Sequence, residues 1–136
     1  MTKRSQRGAA LVEAAVGMML FFTLILAVLE FSRAFNVYQT MVNAAREGAR
    51  LSVAPLPGTN TLPTSTEVEN KTKEFLAMSS VTGTTVNVNQ TLIGPTVGGV
   101  ATVYTQVDVS VPYKSFLIPG NTFTMSATAR MRNETN

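Results

Sequence analysis

The hydrophobic pattern divides the chain into three parts. Residues 9–29, AALVEAAVGMMLFFTLILAVL, are apolar apart from Glu13 and Thr23, and this 21-residue run matches the roughly 20 residues of a membrane-crossing helix. Beyond it Phe31, Phe35, Tyr38, Val42, Ala45 and Ala49 recur every three or four positions, a helical stripe, with Arg33, Asn36, Thr40, Asn43, Glu47 and Arg50 opposite. The first proline is Pro55, so the pattern predicts one helix over 9–53, roughly 68 Å long at 1.5 Å per residue. Its first half suits lipid or other apolar helices, and its second half suits packing on the chain's own domain.

Residues 54–66, APLPGTNTLPTST, read as a linker. Thr66 and Glu69 have capping-box spacing and predict a short helix through Met78. The remainder alternates with period two. Val86, Val88, Gln90 and Leu92 share a side of one strand. Val103, Thr105, Val107, Val109 and Val111 share a face of a second. Phe123, Met125, Ala127, Ala129 and Met131 share a face of a third. Gly94-Pro95 with Gly98-Gly99, and Pro119-Gly120-Asn121, are the expected turns. Such alternation means a half-buried antiparallel sheet, and three strands alone cannot bury their apolar face. The Phe31–Ala49 stripe is the natural cover, with Phe35 or Tyr38 against Val107 and Val109. The fold class is therefore α+β: a long N-terminal helix, half membrane and half amphipathic, packed on a small antiparallel sheet. The expected layout is a basic leader over 1–8, the helix over 9–53 with its membrane part over 9–29, the linker over 54–66, and a small extracytoplasmic domain over 67–136.

Charge narrows the picture. Of the 136 residues 14% are charged, against a globular average near 25%. The net charge of +3 is matched by Lys3, Arg4 and Arg7 alone, so the remainder is formally neutral and nucleic-acid binding has no basic surface to rest on. The positive-inside rule puts the leader in the cytoplasm and the domain outside. With no Cys and no His, thiolate nucleophiles, Ser-His triads, disulfides and imidazole metal sites are excluded. No catalytic constellation, metal or cofactor is expected.

Three features coincide near residue 8. The leader ends in Gly8, the small Ala9 opens the apolar run, and Glu13 interrupts it. A carboxylate at the centre of a membrane helix costs about 2.5–3.5 kcal/mol, less near the interface, so such residues usually have a partner. Cleavage after Gly8 would give Ala9 a free α-amino group. The helix points that amine away from Glu13 of the same chain, but a neighbouring copy displaced along the axis would present its own. Two other readings stay open. In an uncut signal anchor Glu13 sits at the headgroups. A removable secretory signal fits poorly, because Glu13 breaks the apolar region and no clean A-x-A site follows.

The segment RGAALVE, the apolar stretch and LEFSRAFNVYQTMVNAAREGAR resemble the TadE-like, pilin-related proteins of tight-adherence (Flp-type) secretion systems. Glu30-Phe31, Tyr38-Gln39 and the block Asn43 to Arg50 carry the resemblance most closely, and Val109 to Tyr113 and the terminal SATARMRNE are looser matches. The resemblance implies a pilin-like fold and a bitopic protein of the bacterial inner membrane, which can enter an extracellular fibre after assembly. It implies cutting between Gly8 and Ala9 by a prepilin peptidase, and allows methylation of the new terminus. It gives Glu13 the role of the assembly acid, and other pilin or pseudopilin subunits as partners once the helix leaves membrane lipid. Phe31, Phe35, Tyr38 and Val42 are the expected helix-packing residues. The roughly 80-residue C-terminal part favours a minor pilin or pseudopilin over a major pilus subunit. The rival from another class is an uncleaved, signal-anchored protein with an extracytoplasmic binding domain.

Bland readings suffice for the rest. Asp108 is a solvated strand residue. Glu67–Lys71 is an i,i+4 pair and Glu69 a cap. The three Asn-x-Thr sequons are chance in an Asn- and Thr-rich chain. The four phenylalanines at 21, 22, 31 and 35 are packing residues rather than an electron path. Arg46, Glu47 and Arg50 are either a wet face or a contact to the sheet or a neighbouring subunit.

Overall fold

In the computed structural model the backbone is described for residues 3–58, 61–97, 100–118 and 120–133, and side chains for 8–58, 61–94, 102–118 and 120–133. Helix α1 spans Lys3–Val53 and α2 spans Ser65–Met78. Strands β1 (Thr85–Val97), β2 (Val100–Lys114) and β3 (Thr122–Arg132) form an antiparallel sheet in the order β1-β2-β3. The fold is α+β, with a long N-terminal helix on a small three-stranded sheet. Helix α1 covers β2 and β3, and α2 lies between α1 and β1.

Helix α1 is continuous for 51 residues, about 77 Å at the standard rise. It stops at Val53 because Pro55 bars a further turn. Only its C-terminal third is packed. Met41, Ala44, Ala45 and Ala49 are buried with Val107, Val109, Val111 and Ala127 of the sheet, and Val37 and Val42 are half-buried beside them. The sheet-facing stripe is thus Val37, Met41, Ala44, Ala45, Gly48, Ala49 and Ser52.

This corrects the predicted stripe. Phe31, Phe35 and Tyr38 are exposed by 71%, 51% and 43%, and neither Phe35 nor Tyr38 is part of the cluster around Val107 and Val109. Val42 does reach that cluster. The two stripes share Ala45 and Ala49, but at about 100° per residue their centres lie about 80° apart around the helix, so Phe31, Phe35 and Tyr38 fall beside the buried face rather than on it. Packing selects the side of α1 with the smallest residues. An aromatic stripe would hold the helix off the sheet, whereas alanines opposite valines bring the two backbones close.

Gly48 shows how close. A Cβ there would stand 2.5 Å from Thr72 Oγ1 and 3.3 Å from Val107 Cγ1. Thr72 is buried and donates to the Val68 carbonyl at 2.7 Å, which fixes its rotamer. Three surfaces therefore meet at Gly48: α1, α2 and β2.

Helix α2 begins two residues earlier than its predicted cap. Thr64 is the N-cap, its side chain accepting from the Glu67 N–H at 3.3 Å while the Glu67 carboxylate accepts from the Thr64 N–H at 2.8 Å. The Thr66/Glu69 reading is corrected because Pro63 fixes the entry of the chain two residues earlier. Glu67 is then occupied by the cap and does not pair with Lys71. Lys71 pairs instead with Glu74, and Lys73 with Glu69.

The ladder pairs Val86 with Val109 and Val88 with Val107 on one side of β2, and Ala129 with Val107 and Ala127 with Val109 on the other. Gly94-Pro95 lies within β1, not in a turn. The ladder shifts register between Asn89 and Leu92 and again between Ile93 and Thr96, which absorbs both residues into the strand. A Cβ at Gly94 would stand 2.2 Å from the Tyr104 ring, so the glycine makes room for that ring across the strands. The predicted tip Gly98-Gly99 and Pro119 lie outside the described residues, as does the end of the last sequon.

Two outcomes test this packing in full-length protein in detergent. Gly48→Ala should lower stability. Overpacking costs roughly 1–3 kcal/mol and exceeds the gain of roughly 1 kcal/mol from replacing a helical glycine. Gly17→Ala, with nothing within 4 Å, should leave the melting temperature unchanged or raise it. Thr105 is fully buried and its hydroxyl has no hydrogen-bond partner among the described residues. Thr105→Val should therefore stabilise the fold by about 1–2 kcal/mol, read as a raised melting temperature.

Candidate functional site

The candidate site has two parts on α1. The first is its bare N-terminal half. Every residue from Gly8 to Leu29 is exposed, and the most apolar stretch of the helix has 0% of its residues buried against the rest of the chain. The helix is long and apolar enough to cross a membrane. Gly8 and Ala9 are helical and open to solvent, and a Cβ at Gly8 would meet nothing within 4 Å. Glu13 is exposed one turn further on, and makes no hydrogen bond or ion pair among the described residues. Thr23, the other polar residue of the run, is satisfied internally by donating to the Met19 carbonyl at 2.8 Å. Of the two polar side chains in the apolar stretch, only the acid must look outward for a partner.

The second part lies where the apolar run ends. Glu30 accepts hydrogen bonds from the Tyr113 hydroxyl and from the Phe116 backbone N–H, each at 3.1 Å. Its side chain is only 14% exposed, and the Arg33 guanidinium lies 4.0 Å from its second oxygen. That guanidinium also stands over the Tyr113 ring, 5.3 Å from its centroid. Desolvation pushes the Glu30 carboxyl up. The hydrogen bonds from Phe116, Ser115 and Tyr113, together with the charge of Arg33, outweigh it and hold the group below the usual carboxylate range. Tyr113 shifts the other way: burial, then its bond to the Glu30 carboxylate, raise its phenol above the ordinary value against the charge of Arg33.

The effect is to tie the segment after β2 to the helix just past its apolar run. The partners stand 83 and 86 residues apart in sequence. No periodicity connects them, so sequence patterning assigns Glu30 and Tyr113 no role. Glu30-Phe31 does lie in the segment whose resemblance is closest, but that resemblance names no partner for the acid.

Elsewhere α1 turns a charged side outward. Arg50 binds the Glu47 carboxylate through two nitrogens at 2.9 and 3.1 Å. This hydrogen bonding from Arg50 chiefly holds Glu47 below its ordinary value, against desolvation. Arg46 is exposed beside them. Asp108 is more than a solvated acid: on the wet face of the sheet it accepts from Thr128 Oγ1 at 2.6 Å and from Gln106, and Gln106 accepts from Arg130 at 2.7 Å. That is a cross-strand ladder that clips β2 to β3.

The Glu30 contact has a pH signature. Its carboxyl is lowered on folding, so its contribution is present above the unfolded-state pKa and is lost as pH falls through the lower, folded-state value. The protection of the Phe116 amide against hydrogen exchange, relative to its intrinsic rate, should fall on acidification through that range. In Glu30→Ala that protection should be low at every pH.

No curated protein and no solved structure matches the chain. Residues 8–50, from the glycine before the apolar run to the last turns of the sheet-packing helix, match the family model of TadE-like proteins.

Proposed function

We propose that the protein is a minor pilin or pseudopilin, an assembly component of a tight-adherence (Flp-type) pilus or related secretion system, held in the bacterial inner membrane before it assembles. One observation carries the reading. The helix that matches the TadE-like family is apolar, wholly uncovered by its own domain over residues 9–29, and interrupted there by an acid four residues after a Gly-Ala junction.

The mechanism is structural. Lipid satisfies the uncovered apolar half, with the leader in the cytoplasm and the sheet domain outside. A prepilin peptidase removes residues 1–8, so Ala9 carries the new α-amino group. Packing against other pilin-type helices then replaces lipid. At that stage Glu13 meets the amine of an adjacent subunit, and the pair fixes axial register. A buried ion pair with good geometry offsets its own desolvation, whereas removing one partner leaves an uncompensated charge. Arg46 and the Glu47–Arg50 pair, on the outer side of α1, are available to the same neighbours.

Mass spectrometry of the mature chain and co-purification with pilin-type subunits test this together. The parent chain should begin at Ala9. Glu13→Leu should insert and be cut in the same way, since it lightens the insertion cost of about 2.5–3.5 kcal/mol at most, yet lose co-purification. An intact leader would mark a signal anchor instead. Undiminished assembly of Glu13→Leu would return Glu13 to an interfacial role.

A further inference from the structure

Strand β2 runs back along α1. Val107 lies beside Gly48, while Tyr113 is bonded to Glu30. The chain then continues past Tyr113 into the segment that joins β2 to β3. That segment carries Phe116, Leu117 and Ile118 in succession, exposed by 70%, 39% and 51%. Phe116 and Ile118, each more than half exposed at the end of a hairpin, have no packing purpose within the domain. Their position does have one. Leu117 lines a shallow groove together with Ala27 and Phe31 of α1. Ala27 belongs to the last turn of the apolar run, so the hairpin tip reaches down to the level at which that run ends.

The geometry points to this tip as a second membrane-contacting element, in which Phe116, Leu117 and Ile118 enter the outer interface of the bilayer beside α1. The inference rests on the membrane span proposed for residues 9–29. Magnitudes favour lipid as the occupant. The interfacial layer is about 5–7 Å thick on each side of the hydrocarbon core. Ala27 and Phe31 are about 6 Å apart along the helix, so the groove that holds Leu117 straddles that layer. Apolar side chains that lie in the interface insert about 5–10 Å into it, within reach of a three-residue tip. The charges agree. Arg33 stands one turn above Leu29, Lys114 is exposed at the end of β2, and both border one groove at the level of the phosphates. Glu30, the acid at this height, turns its carboxylate onto Tyr113 and the Phe116 N–H rather than toward anionic headgroups. Glu30 is thus the positioning residue that holds the tip at its depth.

The chain contains no tryptophan, so single substitutions give clean reporters. Full-length Ile118→Trp, Phe22→Trp and Ile93→Trp are reconstituted separately in phosphatidylethanolamine/phosphatidylglycerol vesicles with acyl chains brominated near the headgroup or unbrominated. Ile93, 79% exposed on β1, pairs with Val103 at the end of the sheet away from Glu30 and serves as the water-exposed reference. Bromolipid should remove most of the emission of Phe22→Trp and Ile118→Trp and spare Ile93→Trp. Aqueous iodide should quench only Ile93→Trp. If bromine quenches Phe22→Trp while iodide alone quenches Ile118→Trp, the span stands and the loop contact is overturned. If Ile118→Trp is shielded from iodide but indifferent to bromine, another protein surface covers the tip and lipid contact is overturned. If bromine spares Phe22→Trp as well, the membrane span fails and the loop contact fails with it.

Discussion

The structure depends on the close approach of α1 to the sheet at Ala44, Ala45, Gly48 and Ala49. Everything C-terminal to the helix is arranged around that contact. Strand β2 presents valines to the alanines, β3 contributes Ala127 to the same layer, and α2 closes the side at Thr72. Small residues on the helix are what let a three-stranded sheet, too small to bury its own face, share one core with a helix that is mostly outside that core. The block that carries the family resemblance is thereby explained: its alanines and glycine face inward, and Arg46, Glu47 and Arg50 face outward.

The second constraint is the attachment at Glu30. Without it the domain would be held to α1 only by the core around Met41 and beyond, and the turns between Leu29 and Val37 would form an unguarded joint. Hydrogen bonds from Tyr113 and Phe116, and the Arg33 guanidinium over the Tyr113 ring, close that joint. The domain therefore stands at a set height above the apolar run rather than swinging on it. A carboxylate whose acceptors are used by groups from a distant segment serves this purpose better than an apolar contact, because its bonds fix direction as well as distance.

Much of this was legible in the sequence, for physical reasons that differ by element. The helix shows itself through a long apolar run followed by helical periodicity without proline, and the strands through alternation at period two. The face that packs was misjudged because Phe31, Phe35 and Tyr38 carry more apolar area than alanine, and area alone does not reveal that closeness governs this interface. The start of α2 was displaced because Thr64/Glu67 and Thr66/Glu69 have the same spacing, and only Pro63 separates them. The Glu30–Tyr113 bond joins positions 83 apart and leaves no local trace. Glu13 was conspicuous for the opposite reason, since a charge in an apolar run is an anomaly at its own position.

The unbroken course of α1 has one more consequence. A helix advances about 100° per residue, so the 32 residues between Glu13 and Ala45 amount to almost nine turns, and the two side chains lie within about 40° of each other around the axis. The acid thus points toward one edge of the sheet-facing side, about 80° from the centre of that side, although it stands about 48 Å from Ala45. The helix acts as a keyed shaft: wherever the domain turns, the direction of Glu13 turns with it. Inserting one residue between them would swing the acid by about 100°, whereas inserting seven would move it by only about 20° and return it to nearly the same side. The angular phase of the subunit is therefore written into the length of the helix.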